Sequence, residues 1–202
     1  MSTSVGAGKN TYTLTKEVIM PLEINKFADS IMIDKDMEEL TKLEYEDVDM
    51  GSLNHSLAQT QIVGQLLSDT RFTTIVELSL DIGQTDLTPF GIEAKRELKP
   101  DICLYPKGKL QPDWTCDVLK MQDMPLLAIE VLSPRQGIEE ILAKIRAYFA
   151  LGIKSCWMAI PANESITVYS KPREFISFSM KDKVVVDEVV DIRLPIKKIF
   201  DL

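Results

Sequence analysis

Residues 125–132 form an apolar run with one carboxylate, Glu130, near its end, and this stretch constrains the fold more than any other. A nearly all-apolar run of this length is typical of a central strand that is buried on both faces. Residues 136–151 follow with apolar side chains at helical spacing, and residues 155–160 read as a further strand. This order predicts an α/β domain in which helices flank a mixed β-sheet.

A second carboxylate, Asp101, opens an earlier predicted strand over residues 101–105. Apolar strands seldom hold a carboxylate unless it is paired or binds a metal. Lys144 and Tyr148 share one face of the predicted helix, because they are four residues apart, and that face can approach Glu130. Two carboxylates on neighbouring strands with a lysine nearby predict a site for one divalent cation and a phosphate. The structural alternative is a partly buried Glu130–Lys144 ion pair, with Asp101 capping a turn.

Length and composition limit the class of protein. The 202 residues fit one domain, and a composition with 45% hydrophobic and 27% charged residues is ordinary for a soluble globular protein. No apolar run approaches the roughly 20 residues that span a bilayer, and no signal peptide is recognisable, so we expect a cytoplasmic protein. The cysteines lack C-x-x-C spacing and predict free thiols, of which Cys103 and Cys156 lie in apolar runs and should be buried.

The net charge of −8 argues against tight nonspecific binding of nucleic acid, which depends on Lys and Arg side chains. The charge is uneven, however. Residues 1–50 hold 5 Lys against 11 acidic residues, a net −6, whereas residues 91–160 hold 10 Lys and Arg against 9 acidic residues, a net +1. Much of the acidity is therefore remote in sequence from the predicted site.

The remaining segments complete a single-domain prediction. Residues 1–12 are small and polar and are expected to be flexible, which leaves residues 13–202 as the domain. Residues 34–38 resemble the start of a calcium loop, but a helix start capped by Asp34 explains them better. The other predicted elements are a helix over 54–68 with Leu57, Ile62, Leu66 and Leu67 inward, one strand over 71–82, a long loop or short helix over 107–124, an antiparallel hairpin of 166–169 with 175–180, and a short strand with a helical turn over 189–200.

Aromatic residues suggest an assembly. Tyr105, Trp114, Trp157 and the hairpin after residue 161 offer more apolar surface than a small sheet needs. Uncovered edge strands tend to associate, and two-fold dimers are the commonest assembly. We therefore expect a homodimer.

A set of spaced residues connects these features to a known family. The set comprises Pro100-Asp101, Glu130-Val131-Leu132-Ser133-Pro134, Lys144, Tyr148, Gly152 and Trp157. It resembles the Uma2 family, formerly DUF820, whose members are assigned as endonucleases of the PD-(D/E)XK superfamily and are abundant in cyanobacteria. The resemblance covers about residues 50–170, and the spacing from Glu130 to Trp157 matches without gaps.

The resemblance implies a restriction-endonuclease-like core and hydrolysis of DNA phosphodiester bonds by a water activated by Mg²⁺ or Mn²⁺. The implied metal ligands are Asp101, Glu130 and the backbone carbonyl of Val131. Lys144 would orient the water or stabilise the developing negative charge. The alternative is a catalytically inactive protein that keeps the nuclease fold as a binding or assembly module.

Two residues are secondary candidates, and one position departs from the superfamily pattern. His55 falls where many relatives place a helix histidine, and a surface or helix-capping role is the alternative to a catalytic one. Tyr148 is expected to pack with its hydroxyl hydrogen-bonded near the site. The superfamily's lysine usually stands two residues after the second acid, where this chain has Leu132. The resemblance implies that Lys144, on the following helix, replaces it.

Overall fold

The computed structural model of the chain describes residues 52–92 and 97–201. The predictions for residues 1–12 and for the helix start at Asp34 lie outside these residues. In chain order the helices and strands are α1 (Leu53–Leu66), β1 (Phe72–Val76), β2 (Leu80–Asp81), β3 (Glu97–Leu98), β4 (Ile102–Pro106), β5 (Leu127–Val131), α2 (Ile138–Ala150), β6 (Ser155–Ile160), β7 (Ser165–Lys171), β8 (Glu174–Ser179), β9 (Val184–Asp187), β10 (Ile192–Pro195) and α3 (Lys197–Phe200). None of the helices in these ranges is long and apolar enough to cross a membrane.

A six-stranded mixed sheet with the order β1-β4-β5-β6-β7-β8 is the centre of the fold. Strand β5 lies inside this sheet, antiparallel to β4 and parallel to β6, and all five of its residues are buried. The apolar run that dominates the sequence is therefore the central strand, as predicted, because its side chains have a hydrophobic layer on each face. Two short two-stranded sheets, β2–β3 and β9–β10, lie beside the main one.

Helix α2 makes the parallel pairing of β5 and β6 possible, since two parallel strands need a crossover connection. Its apolar stripe faces the sheet, and the helix ends where the sequence predicts. Gly152 adopts φ +94 and donates its N–H to the carbonyl of Phe149 at 3.0 Å, while Ile153 donates to that of Tyr148 at 3.1 Å. This pair of bonds is a Schellman motif, and it turns the chain directly into β6.

Two hydrophobic cores lie on the two faces of the sheet. One packs α1, α3 and the β9–β10 hairpin against residues such as Leu104, Ile129 and Trp157. The other packs α2, β2 and β3 against residues such as Ala128 and Met158. Cys103 and Cys156 lie in this second core and are buried, as the sequence predicts.

The prediction of one strand over residues 71–82 is wrong. The chain forms β1 and then leaves the sheet, because Glu77 adopts the left-handed conformation with φ +49. Its N–H still donates to the carbonyl of Asp101 at 3.1 Å, so the turn falls at the last bond of the β1–β4 ladder. Alternation of side chains along a strand carries no signal for such a turn at a residue other than glycine.

Burial at the ends of the helices also differs from prediction. Leu67 is 64% exposed because α1 ends one residue earlier, and Ile138 is 48% exposed because it is the first residue of α2. The closing strand predicted over residues 189–200 begins too late. It omits β9, whose β-branched residues pair with β10.

The aromatic basis of the dimer prediction is partly wrong. Tyr105 and Trp157 are fully buried, and Trp114 is 94% exposed. The predicted hairpin is confirmed as β7 and β8. The edge strand β8 exposes Phe175 and Ile176, which gives this end of the sheet an apolar surface.

Candidate active site

The two predicted carboxylates lie on one face of the sheet. Ile102 pairs with Ile129 across the antiparallel β4–β5 ladder, so Asp101, one residue before β4, comes opposite Glu130 near the end of β5. Side chains alternate along a strand, which puts Asp101 on the side of Cys103. Burial and the charges of Glu130 and Asp101 raise the pKa of the Cys103 thiol to about 12, as expected for a group near both acids. An arrangement on opposite faces would have excluded a shared metal.

Asp101 is fixed by its own carboxylate and by its backbone. Its Oδ2 accepts a hydrogen bond of 2.6 Å from the N–H of Val131, the residue after Glu130. Its carbonyl accepts bonds from the N–H of Glu77 at 3.1 Å and from the side-chain Nε2 of Gln59 at 3.0 Å. The first acid is thus tied to the backbone of the strand that carries the second.

Glu130 is 2% exposed and receives both of its side-chain partners from α2. Lys144 Nζ lies 2.9 Å from Oε2, and the Tyr148 hydroxyl donates a hydrogen bond to Oε1. The spacing of four residues gives both side chains the same helix face, as the sequence predicts. The Lys144 side chain is 29% exposed, so its ammonium group links the buried carboxylate to the surface.

Burial dominates the electrostatics of Glu130. It raises the pKa of this carboxyl from its ordinary value of 4.5 to about 7; Lys144 and the Tyr148 hydrogen bond act against this shift, and Asp101 adds to it. Burial and the nearby Glu130 charge raise the pKa of Tyr148 well above its usual range, so its hydroxyl remains a donor. The buried carboxyl of Glu130 therefore holds its proton more tightly than an exposed glutamate does.

Helix α1 brings a third side chain to the acids. Ser52 caps this helix by accepting from the N–H of His55 at 3.3 Å. The His55 ring then reaches across to Asp101, with Nε2 at 3.4 Å from Oδ2. The secondary candidate from the sequence thus contacts one of the two main candidates.

The donor set suits a hard cation that keeps part of its water shell. Within residues 52–92 and 97–201 no group of three or more His, Cys, Asp and Glu side chains converges as a metal cage. Mg²⁺ is usually bound through one or two carboxylates and several waters, so the oxygens of Asp101 and Glu130 fit this mode. The backbone of Val131 lies at the same place, because its N–H contacts Asp101.

Gln59 contacts the site, and the sequence does not predict this contact. It lies one turn after His55 on α1, so the two share a helix face. The four-residue spacing from His55 indicates the shared face, but an uncharged amide on a helix does not by itself indicate a functional site. Its contact with the carbonyl of Asp101 depends on the packing of α1 on the sheet.

Comparison with known proteins identifies a family and a similar fold. The family model Uma2, described as "Putative restriction endonuclease", matches residues 46–197. A solved structure described as "a putative nuclease belonging to DUF820 from Anabaena variabilis ATCC 29413" is similar in fold, with a TM-score of 0.58 and 20% sequence identity. The match covers 75% of this chain and 82% of that one. No curated protein matches the sequence.

Proposed function

Since this chain belongs to the Uma2 family, we propose that it is a metal-dependent endonuclease that hydrolyses phosphodiester bonds of DNA. One observation carries the proposal. Asp101 and Glu130 come from neighbouring strands, share a face, and meet a lysine from the next helix. Neither residue is needed there for a hydrophobic core, and a buried carboxylate is costly unless it is paired or binds a metal.

The proposed division of roles follows from charge and position. Asp101, Glu130 and the carbonyl of Val131 would bind Mg²⁺ or Mn²⁺. When bound, the ion supplies Lewis-acid polarisation of the phosphate and a water of lowered pKa. Lys144 is partly exposed, so it can exchange its contact with Glu130 for one with a phosphate oxygen and stabilise developing negative charge. Tyr148 would keep the Glu130 side chain oriented.

His55 is proposed as an accessory group. Its Nε2 contacts the Oδ2 of Asp101 at 3.4 Å, so it can orient that carboxylate. The same Oδ2 accepts from Val131 N–H, so in this proposal Oδ1 is the oxygen that would bind the cation. The histidine therefore acts on the geometry of Asp101 in this proposal.

A homodimer in the cytoplasm is the proposed assembly, and it suits cutting of both DNA strands. The outer edge of β8 supports it, because Phe175 is 57% and Ile176 is 63% exposed there. Antiparallel pairing of β8 with a second copy would bring Glu174, at its start, towards Lys181, just beyond its end. Sedimentation equilibrium at micromolar concentration should give the dimer mass, and a monomer mass alone would contradict it.

A second candidate function is a catalytically inactive binding or assembly module. One feature favours it, since both oxygens of Glu130 already have protein partners, Lys144 and Tyr148. In this case the acids and the lysine form an ion network that holds α2 on the sheet. Removing one partner of a buried pair costs about 3–5 kcal/mol.

Plasmid nicking, calorimetry of metal binding and thermal unfolding separate the two functions. For the nuclease, Mg²⁺ or Mn²⁺ should support cleavage, while Ca²⁺ should bind without efficient turnover. Asp101→Asn and Glu130→Gln should weaken metal binding and remove most activity, because each deletes a charged ligand. Lys144→Ala should keep metal binding and lower the rate by about 10²–10³.

The inactive module predicts a different outcome for the same proteins. The wild type would neither bind Mn²⁺ at millimolar concentration nor nick DNA, and the Glu130 and Lys144 variants would mainly unfold at lower temperature. That result would contradict the nuclease function and leave only the assignment of the fold.

A further inference from the structure

The backbone of Asp101 is held from outside its own strand. The residue follows Pro100, which has no N–H, and precedes the first residue of β4. Two donors meet at its carbonyl, the N–H of Glu77 at 3.1 Å and Nε2 of Gln59 at 3.0 Å. The position of this residue is therefore set by the end of β1 and by a side chain of α1.

The two donors differ in what they require of the sequence. The N–H of Glu77 is a backbone group, which other residues can also supply. The second donor is a side chain, and it sits on a helix that the core holds firmly, since Ala58 and Ile62 on either side of Gln59 are 2% and 0% exposed. Through its hydrogen bond, Gln59 therefore fixes the peptide of Asp101 relative to helix α1.

We propose that Gln59 is a positioning residue for the Asp101 carboxylate, an inference that rests on the proposed nuclease function. Asp101 must present one oxygen to the cation while the other accepts from Val131 N–H at 2.6 Å. A shift of its peptide moves the carboxylate away from Glu130. Removing a group that orients a metal ligand typically lowers metal affinity or activity by about 10- to 100-fold.

Gln59 and His55 act at different atoms. Both lie on the same face of α1, one turn apart. His55 contacts the side-chain oxygen of Asp101, whereas Gln59 contacts its backbone carbonyl. Removing the Gln59 amide consequently leaves the charge and the hydrogen-bonding groups of the carboxylate unchanged and alters only its placement.

Gln65 provides a matched control for a test by substitution. It is the same residue type on the same helix, and among the described residues neither polar atom of its buried amide has a hydrogen-bond partner. Methionine keeps the length of glutamine and lacks the N–H donor. Gln59→Met deletes the contact with Asp101, and Gln65→Met deletes an amide that makes no hydrogen bond.

The first measurement is Mn²⁺ binding by calorimetry on the full chain without DNA. Gln59→Met should raise the Kd for Mn²⁺ about tenfold. Gln65→Met should keep the wild-type Kd. Gln59→Asn, whose amide is one methylene shorter and falls short of the carbonyl, should behave as Gln59→Met and serves if the latter does not fold.

The second measurement needs no metal. Hydrogen exchange followed by NMR reports the amide of Val131, which is bonded to Asp101, and the amide of Ile129 in the same strand. In Gln59→Met the Val131 amide should exchange faster while that of Ile129 keeps its wild-type rate. General loosening of β5 would accelerate both.

The outcomes separate this inference from the function on which it rests. A wild-type protein that binds Mn²⁺, together with a Gln59→Met variant of unchanged Kd and unchanged Val131 exchange, overturns the positioning role alone. Equal losses in Gln59→Met and Gln65→Met would assign the effect to the helix and overturn it as well. A wild-type protein that binds no Mn²⁺ overturns both proposals.

Discussion

Two carboxylates are buried on opposite faces of the six-stranded sheet, and their surroundings differ in kind. Glu130 is 2% exposed and Asp187 is 1% exposed. Asp187 accepts from Ser155 Oγ at 2.6 Å and from Trp157 Nε1 at 2.7 Å, and its Oδ1 accepts from two backbone N–H groups. Every one of these donors is neutral. Glu130 is bonded instead to a partly exposed lysine and to a tyrosine.

The difference shows how a buried acid can be structural or chemical. The donors of Asp187 are held by the strand β6 and by the turn after β9, so they fix the β9–β10 hairpin on the sheet. They offer no route for a ligand or a proton. Glu130 lies at the end of β5, its lysine reaches solvent, and a second acid stands opposite it. Glu130 and Asp187 are buried to a similar degree, so the hydrogen-bond partners of each acid decide whether its role is structural or chemical.

The largest expected effect is loss of stability on removing the structural acid. Asp187→Ala leaves Ser155, Trp157 and two backbone N–H groups without their acceptor. Each unsatisfied buried group costs about 1–3 kcal/mol, so with four such groups we expect a loss of at least about 4 kcal/mol in the free energy of unfolding by urea. Metal affinity of the folded protein should stay unchanged. A loss below about 1 kcal/mol, or a change in metal affinity, would remove the distinction between the two acids.

A second expected effect concerns the pH dependence of stability. The pKa of Glu130 rises from 4.5 in the unfolded chain to about 7 in the fold, so the native state binds the proton more tightly. The stabilisation is fully present below about pH 4.5 and is lost as the pH rises to about 7. Glu130→Gln lacks this titration. Relative to that variant, the free energy of unfolding of the wild type should therefore fall by roughly 2–3 kcal/mol over this pH interval. Urea unfolding at several pH values measures this difference.

The sign of this difference is diagnostic. If the free energy of unfolding of the wild type instead rose with pH relative to that of Glu130→Gln, ion pairing with Lys144 would outweigh burial. A gap independent of pH would mean that Glu130 keeps its ordinary pKa despite its 2% exposure.

The smallest expected effect compares two buried tyrosines on the same side of the sheet. Tyr148→Phe removes the hydroxyl that donates to Glu130 and should lower the free energy of unfolding by about 1–2 kcal/mol, because hydrogen bonds to charged groups are the stronger ones. Tyr105→Phe is the control, since its hydroxyl donates to the neutral carbonyl of Asp123 at 2.9 Å. It should cost about 1 kcal/mol or less. Tyr148→Phe should also raise the pKa of Glu130 further, as read by NMR, and Tyr105→Phe should leave it unchanged.

Local sequence pattern predicted the elements around the site. The apolar run gave β5, the helical spacing gave α2, and the positive φ of Gly152 stands where the chain must turn. The spacing of Lys144 and Tyr148 placed both on the face that meets Glu130. These predictions succeeded because each depends on short-range geometry, the period of a strand or of a helix, which the chain carries wherever it folds.

Contacts between distant segments were decided by the tertiary structure alone. Nothing near Glu77 in the sequence signals its left-handed turn, and nothing near Asp187 signals that its partners are Ser155 and Trp157, about 30 residues away. The same holds for Gln59, which reaches Asp101 across 42 positions. Such contacts are fixed by the register of strands and the docking of helices, and these depend on the packing of the whole core rather than on any local pattern.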